Sequence, residues 1–372
     1  MMKLCPLTLL LIFMNLSYAE TVFFGTNTGG NGSSKGIYAT RFDSGAGAFA
    51  SEARLMAEIP FPGFLAKHPN LPVLYSVSSD RVASYRIVEG GSQPDLEPLN
   101  AVPSGTGRGT HLDVHPNGKA LVTVHYGDGD VVVFPLQSDG SIGERTQTIA
   151  LTAFSGVNPK RQEGPHPHSV YFDDTGAFAL IPDLGADATY IFRFNSESTT
   201  LTQQGKGDAL PGEGPRHMKF SVDSRFVYVL NELGLSVDCF EWNAQEGSLT
   251  KVGSAPTLTK EEQAGFNDIK ASEIRIHPNG KFLYAANREH DSISVFRIHP
   301  ESGLIKRIQL VPTVVRWPRN FNIDPAGRWL LCAGQNSNTV GIFAINEGSG
   351  ELLYKEGSEL DVPRAICVLF AP

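Results

Sequence analysis

A pattern that returns every 47 to 58 residues limits the folds open to this chain more than any other feature. Each copy holds an apolar alternating strand, a tight turn, a second strand, a polar loop and a third alternating strand. The clearest copies, Leu112 to Leu136 and Ile274 to Ile298, share the turn His-Pro-Asn-Gly at 115–118 and 277–280. Val170 to Phe194, Met218 to Trp242 and Phe321 to Ile345 write the turn differently, and a fainter copy runs from Phe64 to Ile87. The turns thus begin at His68, His115, Asp173, Ser221, His277 and Asp324. A strand-only repeat of this length is the unit of a β-propeller, one four-stranded blade that buries its faces only by stacking against its neighbours.

Six copies are explicit, and the two ends of the chain supply a seventh. Val22 to Phe42 provide outer strands, and Pro363 to Phe370 resemble the opening strand of the other copies. Pairing them closes the ring and removes a free sheet edge. The expected fold is therefore all-β, a seven-bladed β-propeller over residues 20–372 closed by its N- and C-terminal strands. The 38 Gly and 24 Pro, with only 19% charged residues, fit such a turn-rich chain.

Residues 1–19 read as an export signal: Lys3, an apolar stretch from Leu4 to Leu16, then Ser17-Tyr18-Ala19 before a cut at Glu20. The expected location is periplasmic or extracellular, and no later segment is long and apolar enough to anchor the chain in a membrane. Removing the leader takes Cys5 with it. Cys239, Cys332 and Cys367 remain, an odd number without metal-ligand spacing, and read as buried strand thiols. A net charge of -8 without a basic run argues against nucleic acid as a partner. The oligomeric state stays open.

In a propeller the first strand of each blade lines the central channel, so its start and the loop after the second strand converge on one mouth. Both places hold reactive side chains here. The strand starts read Gly109-Thr110-His111, Pro167-His168-Ser169, Pro215-Arg216-His217, Pro318-Arg319-Asn320 and Pro363-Arg364. The loops, 10 or 11 residues beyond each turn position, carry His125, Asp183, Glu232, Arg288 and Gln335. Several Arg, His and Glu side chains facing one channel suit an anionic ligand. His115 and His277, beside Pro in the turns, are structural by contrast, and His166 belongs to the approach loop. The run Gly25 to Ser34 lacks the Lys-Ser or Lys-Thr of a phosphate loop and reads as a hairpin connection. The one Gly-x-Ser-x-Gly run, Gly32 to Gly36, falls in that Gly-rich connection ahead of a strand-like segment rather than at a strand-to-helix elbow, and Ser169 stands at a strand start, so no serine nucleophile is indicated.

The runs GPHPHS at 164–169, GPRH at 214–217, NE at 231–232, AANR at 285–288 and PRNFNIDPAGRWLLCAGQ at 318–335 resemble the seven-bladed lactonase family. It includes the propeller-type 6-phosphogluconolactonase and the fungal carboxy-muconate lactonising enzyme. The resemblance covers nearly all of the mature chain. It implies a catalytic set of His168, Arg216, Glu232 and Arg288 and neither a metal nor another cofactor, while the two repeat registers offer His111, Asp183, His217, Arg319 and Gln335 as candidate substrate-binding residues. The implied partner is a small anionic or polyol lactone. Opening it needs an activated water, charge stabilisation on the carbonyl oxygen and a proton for the departing alkoxide. The expected roles are His168 for water, Arg216 for the oxyanion, Glu232 for the leaving-group proton and Arg288 for a substrate carboxylate or hydroxyl, with His168 and Glu232 exchangeable. Two alternatives stay open: cycloisomerisation in the reverse direction, and a secreted propeller that binds without chemistry.

Overall fold

The computed structural model describes residues 19–29, 34–89, 94–105 and 107–371. The expected export signal falls almost wholly outside them. Seven antiparallel sheets are arranged as the blades of a propeller. Their innermost strands are Phe64–Lys67 in blade 1, Gly109–Val114 in blade 2, Tyr171–Phe172 in blade 3, Pro215–Phe220 in blade 4, Lys270–Ile276 in blade 5, Pro318–Ile323 in blade 6 and Ala365–Ala371 in blade 7. Among the described residues the one α-helix is a single turn, Lys260–Gln263, between blades 4 and 5.

Alternation along each strand sends apolar side chains to both faces of every sheet, where they meet the neighbouring blade. Each of the seven blade interfaces accordingly holds its own apolar cluster. Tyr228, Leu230 and Val237 of blade 4, for example, pack on Leu283, Ala285 and Phe296 of blade 5. Stability is thus spread around the ring as nearest-neighbour contacts, while the innermost strands are left to line the axis.

The conserved-looking turn of the repeat has a mechanical reason. The Nδ1 of His115 accepts the backbone N–H of Asn117 at 3.1 Å, so the ring proton sits on Nε2 and is donated to the Gly176 carbonyl of blade 3 at 2.9 Å. His68 and His277 make the same reach to Gly118 and Gly327. Asp173 and Asp324 fill the equivalent position by accepting backbone N–H groups within their own turns. His115 and His277 are structural, as the sequence predicts, and His68 joins them.

Blade 7 closes the ring. The C-terminal strand is innermost and pairs antiparallel with Glu20–Thr26, from Thr21 opposite Ala371 to Thr26 opposite Ala365. Gly36–Asp43 follows outward, joined by the Gly-rich connection, whose residues 30–33, including Asn31, lie outside the described set. The free thiols Cys239, Cys332 and Cys367 are all buried in strands, as expected.

Candidate active site

At one mouth of the channel lies a cavity of about 570 Å³. The repeat explains who reaches it. The tenth and eleventh residues after a turn position stand at the end of the second strand, where successive side chains point to opposite faces. The eleventh residues Tyr126, Glu232, Arg288 and Gln335 all line the cavity. The tenth ones do not. His125 turns away to the Gly107 carbonyl at 3.0 Å, and Asp183 accepts the backbone N–H groups of His166, Gly185 and Ala186 at 2.8 to 3.1 Å. Asp183, expected to bind substrate, is instead the clasp of the loop that carries His166.

The strand starts add His168, Arg216, His217, Arg319 and Asn320 to the wall. The four residues expected to do chemistry therefore share one pocket. Glu232 is its hub and is 2% exposed. Its Oε2 accepts from Arg216 Nε at 2.8 Å and lies 3.0 Å from Arg288 Nη2, while Oε1 accepts from Arg161 Nη2 at 2.6 Å. Burial by itself raises the pKa of this carboxyl, but Arg288, Arg216, His168 and Arg161 together hold it well below the ordinary range. Glu232 is a carboxylate at neutral pH. As a carboxylate it carries no proton of its own, so any proton it hands on must first be taken up from water or from His168.

His168 Nε2 stands 3.9 Å from Glu232 Oε2, and its Nδ1 has no partner among the described residues. Burial, then the cations Arg216 and Arg319 and the ring of His217, keep its pKa well below 6.5, so the imidazole is neutral and free to accept a proton. Arg216 spends Nε on Glu232 and Nη1 on the Ser272 carbonyl, which leaves Nη2 without a partner among the described residues. Burial and Arg288 lower its pKa to about 10.

His217 lines the floor and is fixed by Glu273, 3.2 Å from its Nδ1. His111 lies against it, its ring centroid 3.8 Å from that of Phe64 with the planes tilted by 32°, and is outside the cavity wall, so it supports the site rather than facing a ligand. Two cations line the wall with no acidic partner within ion-pair distance among the described residues: Arg319, and Arg108, which lies over the Phe61 ring at 3.7 Å. Burial lowers the pKa of both, and for Arg319 the nearby Arg288 and Arg216 add to the shift. With Arg161, Arg216 and Arg288 also present against one carboxylate, the pocket carries an excess of positive charge that favours an anion.

The residue types missed in sequence were Tyr126, Arg161, Arg108 and the aromatic walls Phe61 and Trp317. Tyr126 was one register step from the expected His125. Arg161 sits in the loop between blades 2 and 3, and the 58-residue gap from His115 to Asp173, the widest in the repeat, is the signal of that insertion. Among the described residues no group of three or more His, Cys, Asp and Glu is placed to hold a metal ion.

A pH profile follows from His168. Its imidazole stays neutral until the pH falls through its depressed folded value, so a reaction that used His168 as its base would lose that base only there. The acid limb of kcat/KM is expected below pH 6.5; a limb at or above 6.5 removes His168 from that role.

A family model described as "Lactonase, 7-bladed beta-propeller" matches residues 21–370. The 6-phosphogluconolactonase of Bacillus subtilis is 31% identical over 354 residues, covering 94% of this chain and 97% of its own length. That of Pectobacterium carotovorum is 33% identical over 288 residues, 76% of this chain and 80% of its own. Among solved structures, the periplasmic gluconolactonase PpgL of Pseudomonas aeruginosa superposes with a TM-score of 0.86 at 28% identity, covering 95% of this chain and 99% of that one.

Proposed function

The chain belongs to the seven-bladed β-propeller lactonase family, and on that footing we propose that it hydrolyses sugar-acid lactones in the Arg-rich pocket at the mouth of its channel. The observation that carries the site assignment is the convergence of His168, Arg216, Glu232 and Arg288 on one cavity. Relatives named as lactonases favour hydrolysis over the cycloisomerase and the non-catalytic readings.

In the proposed reaction the substrate ring lies across the aromatic walls with its ester carbonyl toward Arg216. Neutral His168 takes a proton from water as its oxygen adds to the carbonyl carbon. The Glu232 carboxylate, 3.9 Å away, stabilises the imidazolium that forms. Arg216 Nη2 meets the oxygen that becomes negative. Arg288, braced by the carbonyl of Ala271 and by Glu232, and the unpaired Arg319 and Arg108 hold the acidic or hydroxylated remainder of the sugar acid. We further infer that the protein works outside the cytoplasm. The apolar leader at residues 1–19 and the likeness to a periplasmic gluconolactonase support this.

A pH-stat screen of aldonolactones, phosphorylated and not, tests the function. Acid release well above the spontaneous rate is expected, and a chelator is expected to leave it unchanged. A purified, folded chain that accelerates none of these lactones defeats the reading.

A further inference from the structure

The departing ring oxygen needs a proton donor that faces the cavity, and besides the His168 imidazolium the wall offers a hydroxyl. Tyr126 lines the cavity, and its Oη accepts a hydrogen bond from Arg161 Nη2 at 3.1 Å, from the same nitrogen that grips Glu232. Because that bond uses a lone pair of the phenol, the hydroxyl proton points elsewhere. No acceptor for it exists among the described residues.

The ring itself is held firmly. It stacks on His166 with centroids 4.3 Å apart and planes 9° apart, and it meets the His168 ring edge-on at 5.5 Å. Its backbone N–H is bound to Thr110 Oγ1 at 3.2 Å, and its carbonyl accepts from His166 Nδ1 at 2.7 Å. A fixed phenol with its proton free and a guanidinium on its oxygen is built to donate toward whatever occupies the pocket.

We propose that Tyr126 is a catalytic residue, the general acid that protonates the ring oxygen as the lactone opens, with Arg161 positioning its hydroxyl. The assignment rests on the lactone-hydrolase reading above. Water adds to the carbonyl carbon and gives one proton to His168. As the tetrahedral intermediate collapses, the bond from the carbonyl carbon to the ring oxygen breaks and that oxygen takes the Tyr126 proton. The phenolate, facing Arg161, then recovers a proton from the His168 imidazolium. The product acid ionises to solvent, and both residues return to their starting state. Burial keeps the phenol pKa above its ordinary value, so the hydroxyl is intact at neutral pH.

The test uses the full chain and an aldonolactone that the wild type hydrolyses. Tyr126→Phe keeps the ring and its stack, and kcat is expected to fall about 100-fold or more with KM within about twofold. A kcat within about threefold of wild type overturns the assignment while leaving the hydrolase reading intact. A wild type that hydrolyses no lactone is the separate failure of that reading. Incorporating a fluorotyrosine at position 126 serves as the second variant, since its more acidic phenol should bring a basic limb into the measurable pH profile. A purely structural Tyr126 leaves that limb unmoved, and an unmoved limb in the folded variant also overturns the proposal.

Discussion

Replacing Glu232 with glutamine is expected to cost both activity and stability, the stability loss being about 3–5 kcal/mol in a denaturant titration. The substitution preserves shape and removes only charge. Arg161, Arg216 and Arg288 then face one another across a buried space without their shared carboxylate. Removing one side of a buried ion pair costs more than the pair contributes, because the charges left behind, Arg216 and Arg288 above all, are almost wholly buried. Inorganic phosphate should restore part of the lost stability by entering the same space, through the mass-action stabilisation that any ligand of the folded state brings. Unchanged unfolding free energy in the Gln variant would mean that the three guanidiniums are neutralised some other way. Catalysis should fall at the same time, since the imidazolium of His168 loses its stabilising neighbour.

Truncating His168 to alanine is expected to lower kcat by about 100- to 10,000-fold with little change in KM, the usual range for a lost general base. The ring is buried at the end of a cavity, packs edge-on against Tyr126 and His217, and makes no side-chain hydrogen bond within 3.5 Å among the described residues, so its removal costs packing but strands no hydrogen-bond partner. The small space left behind should admit exogenous imidazole and recover a fraction of the rate. A loss below tenfold, about 1.4 kcal/mol of barrier, would move the base elsewhere in the pocket.

The ring and its closure were legible because they follow from alternation and from a turn that has to present an acceptor to its own backbone N–H groups. His115 and Asp173 look unlike but meet the same need, and both were readable as one repeat. The polar positions were legible to within one residue. At a strand end one residue decides between a clasp and a wall, which is why Asp183 was drawn into the site and Tyr126 left out of it. Arg161 follows no repeat register at all and reaches Glu232 from an insertion, so only its length was visible. The charge state of Glu232 depends on three guanidiniums from separate parts of the chain arriving together, which no local pattern contains.

The seam in blade 7 also sets a clock for the enzyme. Asn27, just after the first strand, and Ile366, in the last, both face the cavity. Synthesis runs from one to the other, so every earlier blade can form while the wall of the pocket still has a gap. Only when the strand Ala365–Ala371 slots inside Glu20–Thr26 does the ring gain its last side and the pocket its full lining. The docking of that strand, rather than the folding of any one blade, is what completes the wall of the pocket.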